Sequence, residues 1–301
     1  MMRLIFMGTP EFAVPALNTL VQNKHEILCV YTQPPRPAGR GKKHKISSVH
    51  KYADNLDIPV KSPPRLNTKE VINEILGVKP DLIIVVAYGQ ILPEEILKIP
   101  RLGCLNIHAS LLPRWRGAAP IHRAIMSGDQ HTGVSIMNMD LGLDTGPIIK
   151  KEIVPILSND TANTLSEKLA IIGSEMLIEV LTNFTGENIE QSKSGITYAK
   201  KIDKSETKID WSLSAHEIDY FIRGLSHSPG AWTIHNGTRL KLLLCKVIND
   251  QGPVGKITKD GVVFCGKNAI RILSIQRQGK AIQDWSSFIR GYKISSHEFL
   301  G

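Results

Sequence analysis

The feature that most restricts the fold of this chain is Asp81–Ala87, DLIIVVA, in which five consecutive large apolar residues follow a single acid. A strand with one face in water alternates apolar and polar side chains. An unbroken apolar run fits a strand covered on both faces, as in the parallel sheets of α/β proteins. Parallel strands need long crossovers, so helices should separate them. Arg3–Met7 reads as a buried strand, followed by the turn Gly8-Thr9-Pro10 and a helical pattern from Glu11 to Val21. Ile27–Thr32, Cys104–His108 and Gly133–Asp140 supply further strands, and Thr68–Leu76, Pro93–Ile99 and Ala118–Ser127 supply helices. This alternation predicts an α/β fold with a doubly wound, mainly parallel, Rossmann-like sheet, whose ligands bind beyond the carboxyl ends of the strands. Asn106 and His108 close one such strand.

The last third has a different texture. A helix over Thr161–Leu181 gives way to a polar stretch, then a helix over Ser214–Leu225. Short β-type runs follow at Ala231–His235, Leu240–Val247, Gly255–Lys259, Val262–Cys265 and Ala269–Gln276. So many short strands in so little chain predict a second, smaller β-barrel domain of the oligonucleotide-binding (OB-like) type. The expected division is a domain over 1–190, a linker over 191–204 and a basic domain over 205–301.

Charge divides the same way. Of the net +9, residues 200–301 carry 16 Lys/Arg against 9 Asp/Glu, and Tyr31–Lys51 holds six Lys/Arg and no acid. Two separated basic surfaces fit an extended polyanion, because each neutralised phosphate releases counterions. They fit a surface kept basic for solubility equally well. No segment approaches the roughly 20 apolar residues that span a bilayer, and the N-terminal MMRLIFMGTP reads as a first strand, not as a signal. Four cysteines stand far apart with no C-x-x-C pair. That disfavours a zinc cluster or a disulfide framework and fits a cytoplasmic protein.

The residues richest in chemistry are Gly103–Pro120, GCLNIHASLLPRWRGAAP. On a strand, Asn106 and His108 point to the same side, so an amide donor and an imidazole can converge on one reacting atom. A capped strand end with a structural histidine accounts for an isolated N-x-H as well. Downstream, VSIMNMDLGLDTGPI places Asp140 and Asp144 among turn glycines. A carboxylate from that loop could orient the imidazole and stabilise its cation, and an ordinary Asp-Gly turn would use the same residues. The first βα turn lacks G-x-G-x-x-G, and neither a P-loop, a G-x-S-x-G elbow nor an H-E-x-x-H is present. These absences disfavour nicotinamide, ATP, serine-hydrolase and zincin chemistry.

Taken whole, N-x-H-x-S-L-L-P-x-W-R-G-x-x-P (Asn106–Pro120) with D-x-G-x-D-T-G (Asp140–Gly146) resembles the folate-dependent formyltransferases. The likeness extends through F-x-G-T-P-x-F (Phe6–Phe12), T-Q-P-x-R-P-A-G-R-G-K-K (Thr32–Lys43) and V-V-A-Y-G-x-I-L-P (Val85–Pro93). It reaches the second domain at I-D-W-S-L-S-A (Ile209–Ala215). It is nearest to the tRNA-directed branch. The resemblance implies 10-formyltetrahydrofolate as formyl-donor co-substrate and the α-amine of methionyl-initiator tRNA as acceptor, through a tetrahedral intermediate and without a metal, in an enzyme expected to be a monomer.

Carried onto matching positions, Asn106 would donate to the developing oxyanion, an interaction typically worth about 2.7–4 kcal/mol. His108 would take the amine proton or steady the charge, and Asp144 would hold His108 and assist proton delivery to the folate nitrogen. Ser110, Leu111, Leu112 and Pro113 match the family's folate-contacting segment, with Tyr88 and Ile91 facing the same cleft; the two leucines fit plain core packing too. Arg36, Arg40, Lys42 and Lys43 match the segment that reaches the tRNA acceptor end. Pro35 and Ala109 depart from the usual pattern and bear on loop conformation, not on reaction type.

Overall fold

The computed structural model describes residues 1–38, 43–183, 188–295 and 298–301. The chain forms two compact units. The first comprises Met1–Pro120, Thr132–Val154 and Ser166–Ala199, and the second Ile121–His131, Pro155–Leu165 and Lys200–Gly301.

The first unit is built on a seven-stranded sheet. Strand β1 (Arg3–Gly8) is buried from Leu4 onward and leads to helix α1 (Val14–Gln22), whose Ala16, Leu17 and Leu20 recur at helical spacing on its buried face. Strand β2 (Glu26–Tyr31) returns parallel to β1. A hairpin of β3 (Arg36–Ala38) and β4 (Lys43–Lys45) follows, then α2 (Ser48–Asp54) and the short β5 (Val60–Lys61). Helix α3 (Lys69–Val78) opens at Thr68, whose hydroxyl accepts from the Val71 N–H, and stops where Lys79 turns left-handed.

The chain then crosses to the other side of β1 as β6 (Leu82–Val86), the apolar run itself, in which all five residues are buried. Helix α4 (Glu94–Leu97) and strand β7 (Cys104–His108) come next, followed by β8 (Arg116–Gly117), α5 (Pro120–Met126), β9 (His131–Asn138), β10 (Ile148–Pro155), α6 (Ala162–Thr182) and β11 (Tyr198–Ala199); of these, α5 from Ile121 onward and the first turn of α6 belong to the second unit. The sheet order is β10-β9-β7-β6-β1-β2-β5. Pairing is parallel from β7 to β5, and β9 runs antiparallel to β7. Strand order reverses between β1 and β6, and β7, next to β6, delivers Asn106 and His108 at its carboxyl end. No helix among the described residues is long and apolar enough to cross a membrane.

In the second unit, helix α7 (Ala215–Leu225) opens on a capping box in which Ser214 and Glu217 bond each other's backbone N–H groups. Its apolar stripe, Ala215, Ile218, Ile222 and Leu225, joins a core with Trp211, Leu242, Ile270 and Phe288. Arg223 and Asp219, one turn apart and buried, pair at 2.8 Å, and the guanidinium also donates to the Asp160 carbonyl at 2.7 Å.

Strands β12 (Ala231–His235) and β13 (Thr238–Ile248) form a hairpin on the two-residue turn Asn236-Gly237; β14 (Val262–Phe264), β15 (Ala269–Arg277) and β16 (Ile282–Asp284) complete an antiparallel sheet ahead of α8 (Trp285–Gly291). The order is β12-β13-β15-β14, with β16 also on β15. Strand pairing among the described residues therefore gives an open sheet and not the closed barrel expected. The predicted strand at Gly255–Lys259 survives only as single bridges, Lys256 with Phe299 and Ile257 with Val263.

Candidate active site

Asn106 and His108 lie in the last three residues of β7, and both are buried, at 8% and 6% exposure. Their positions alternate with Leu105 and Ile107, so the polar pair shares one face of the strand. Opposite His108 in β9 stands Ser135, whose hydroxyl accepts from the Leu112 N–H at 3.1 Å and donates to the Ser110 carbonyl at 2.7 Å. That link ties the segment after β7 back onto the sheet.

Asp144 joins them from the loop between β9 and β10. Its Oδ1 lies 3.4 Å from Asn106 Nδ2, its Oδ2 lies 3.7 Å from His108 Nδ1, and Oδ2 accepts the Gly117 N–H at 2.7 Å. The histidine separation is too long for a direct hydrogen bond. On the ring's other side, His108 Nε2 lies 2.9 Å from the Trp115 carbonyl oxygen. A carbonyl only accepts, so Nε2 carries a hydrogen, and in the neutral ring Nδ1 is the free base facing Asp144.

Two glycines make this geometry possible. Gly117 sits at φ +113°, and a Cβ there would lie 2.9 Å from the Ala199 carbonyl oxygen; a Cβ on Gly146 would lie 1.9 Å from the Asn138 carbonyl oxygen. Asp140, the other carboxylate of the turn, is structural: its Oδ1 accepts from Gly142 N–H and from the Thr145 hydroxyl.

The expected folate-facing residues divide. Leu112 is buried with Met137 and Ile148, while Leu111 and Pro113 are half-buried. The Ser110 hydroxyl is committed to the Arg114 carbonyl at 2.6 Å. Tyr88 is buried in the core beside Tyr31 and Leu92, which pushes its hydroxyl up to about 12, whereas Ile91 is 81% exposed. The two side chains do not share one environment. Of the expected tRNA-facing cations, Arg36 is exposed on β3 and donates to Gln33 Oε1 at 3.0 Å. Lys43 begins β4, and Arg40 and Lys42 lie outside the described residues.

Sequence reasoning missed several groups. Gln191 Nε2 donates to the carbonyls of Asp144 and Gly146, both at 2.8 Å, and its Oε1 accepts from Nε and Nη2 of buried Arg116 at 3.1 and 2.7 Å. Thr197 Oγ1 accepts the Trp115 N–H at 2.9 Å. These partners are 45 to 82 residues apart, so no local pattern announces them.

Residues 2–181 match the formyl transferase family, and residues 201–293 match the formyl transferase C-terminal domain. A methionyl-tRNA formyltransferase from Roseobacter denitrificans is 48% identical over 295 residues, covering 97% of each chain. Among solved structures, a methionyl-tRNA formyltransferase from Clostridium thermocellum superposes with a TM-score of 0.61 at 20% identity, over 83% of this chain and 96% of that one. HypX from Aquifex aeolicus, in complex with tetrahydrofolic acid, gives 0.68 at 16% identity; it covers 99% of this chain, which spans only 50% of the length of HypX. These two likenesses establish the fold. With both of its domains matched and nearly half its residues shared with a full-length relative, the chain belongs to the formyl transferase family.

Proposed function

We infer that this chain transfers the formyl group of 10-formyltetrahydrofolate to the α-amine of methionyl-initiator tRNA, giving N-formylmethionyl-tRNA for translation initiation in the cytoplasm. The observation that carries the chemistry is the convergence of the Asn106 amide and the His108 imidazole on the Asp144 carboxylate at the end of β7. The acceptor follows from full-length relatives named for methionyl-tRNA.

The folate, when bound, supplies an activated formyl carbon; this chain's residues handle the charge and protons of its transfer. The site suits such a donor because the Asn106 amide is buried yet makes only one long hydrogen bond among the described residues. One of its N–H groups is therefore available to a carbonyl oxygen that turns anionic. His108, held through Nε2–H by Trp115, accepts the amine proton at Nδ1, where Asp144 steadies the resulting cation. The long 3.7 Å separation is one that shortens when the imidazole is charged, as catalytic hydrogen bonds tighten in the reacting complex. Asp144 then assists return of that proton to the folate nitrogen as its bond to the formyl carbon breaks.

The second unit, with its basic excess and antiparallel sheet, serves as the RNA-binding module. An OB-like arrangement is supported by backbone bonds beyond the strands: Gly301 bonds Ile234 of β12 in both directions, Leu300 donates to Gly255, and Gly255 donates to Phe264 of β14. The C-terminal residues thus bridge the two ends of the open sheet. A cavity of about 300 Å³ is lined by Arg277, Lys280, Gln283, Ser287 and Tyr292, with no carboxylate on its wall. Arg277 and Lys280 would meet phosphates there, contacts that position without specifying.

The test is an acceptor panel: formyl transfer from 10-formyltetrahydrofolate to methionyl-tRNA, glycinamide ribonucleotide and an amino-sugar nucleotide. Transfer to methionyl-tRNA alone is expected. Preference for either small acceptor would refute the assignment.

A further inference from the structure

We propose that Gln191–Ala199 is a strap that positions the catalytic trio, with Gln191 and Thr197 as positioning residues, a role that rests on the formyl-transfer reading of Asn106, His108 and Asp144. The sequence places this stretch in a linker, and it lies in neither of the matched family segments, which end at 181 and resume at 201. Yet both groups that flank the His108 ring are held by it.

On the Nδ1 side stands Asp144, whose backbone is left-handed at φ 53°, a conformation a non-glycine residue keeps only when its surroundings enforce it. Gln191 supplies that enforcement. Its amide N–H groups bond the carbonyls of Asp144 and Gly146, bracketing the strained residue, while its Oε1 takes two hydrogen bonds from Arg116. Four bonds saturate the amide, so it has one orientation and no freedom to drift. Arg116 in turn is buried at 7% exposure, and its main-chain N–H bonds the Thr197 carbonyl at 2.9 Å. The next N–H, that of Gly117, grips the Asp144 carboxylate at 2.7 Å. Asp144 is thus held at its main chain by Gln191 and at its side chain by a residue that the strap also holds.

On the Nε2 side stands the Trp115 carbonyl, and Trp115 is itself left-handed at φ 63°. Its N–H bonds Thr197 Oγ1 at 2.9 Å, so one hydroxyl fixes the peptide whose neighbour fixes the imidazole. Parallel pairing of β11 with β8 and the bond from Ala118 N–H to the Ala199 carbonyl complete the attachment. The strap therefore sets the distance between Asp144 and the Trp115 carbonyl, and with it the gap in which the imidazole works.

The test is a double-mutant cycle on the full chain under saturating substrates. Gln191→Leu is expected to lower kcat by about 100-fold, the usual cost of an ångström-scale misplacement, with KM for both substrates within about twofold. In an Asp144→Ala background the same substitution should cost nothing further, because the group it positions is gone. An equal loss in both backgrounds, or a loss carried by KM, overturns the proposal. Thr197→Val, which removes one hydroxyl and keeps the shape, gives the parallel cycle with His108→Ala. It should lower kcat by about 2- to 10-fold in the native background alone, and it decides the question if Gln191→Leu fails to fold. Wild-type transfer to methionyl-tRNA is measured beside each cycle. If the wild type formylates a different amine, the acceptor assignment fails while the cycle, run on that amine, still tests the strap.

Discussion

The main-chain N–H of Gly117 donates to Oδ2 of Asp144 at 2.7 Å, a full ångström closer than the His108 nitrogen that faces the same oxygen. The carboxylate is thus anchored by backbone before it meets the imidazole. A backbone anchor cannot rotate away, so the charge stays where a histidine cation would need it.

Gly117→Ala should therefore act on stability and rate together. At φ +113°, with the Ala199 carbonyl oxygen 2.9 Å from any added Cβ, alanine cannot be accommodated without moving the peptide that grips Asp144. A loss of about 1–3 kcal/mol in urea denaturation is expected, together with a fall in kcat of at least tenfold by the arithmetic of a displaced charge-assisted bond. Unchanged kcat in a folded variant would show that this anchor is not needed.

The four cysteines give a pH prediction. All are free and buried, and burial pushes the thiols of Cys29 and Cys104 up to about 12 and that of Cys265 up to about 11, with Cys245 raised as well. A raised thiol stays neutral in the folded chain while the unfolded chain ionises near pH 9, so the thiols leave stability unchanged well below pH 9 and lower it as pH rises from about 9 toward their folded values. Each such thiol takes away about 1.4 kcal/mol per pH unit across that window. Thiol-reactive dye at pH 8 should label none of the four in the native protein and all four in urea. Rapid native labelling of any of them contradicts this.

Charge reversal in the second unit should weaken RNA binding without touching chemistry. Arg277→Glu with Lys280→Glu is expected to raise KM for methionyl-tRNA severalfold, leave kcat unchanged, and flatten the salt dependence of tRNA affinity by about one to two counterions. An unaltered salt slope would remove these residues from the RNA footprint.

Much of the first unit is legible in the sequence because its signals are local. The apolar run emerges as β6, and the helix expected at Thr161–Leu181 is α6, displaced by one residue at each end. β10 escapes notice because it is an edge strand carrying Lys150, Lys151 and Glu152 at its centre, which hides the apolar pattern as edges commonly do. α8 is too short, at seven residues, to show helical periodicity. In the site, Asn106, His108 and Asp144 are announced by motif, whereas Gln191 reveals its part only through contacts 45 to 75 residues away. A polar stretch after a helix reads as a linker until its partners are known.

Single-turnover formyl transfer to methionyl-tRNA, measured for wild type and His108→Ala with tRNA affinity in parallel, tests the catalytic role of His108. Wild type should transfer the formyl group. His108→Ala should lose about 10²- to 10⁴-fold in the rate of transfer, the range of a lost general base, with tRNA affinity within about twofold. A variant as fast as wild type would show that His108 takes no part in the transfer.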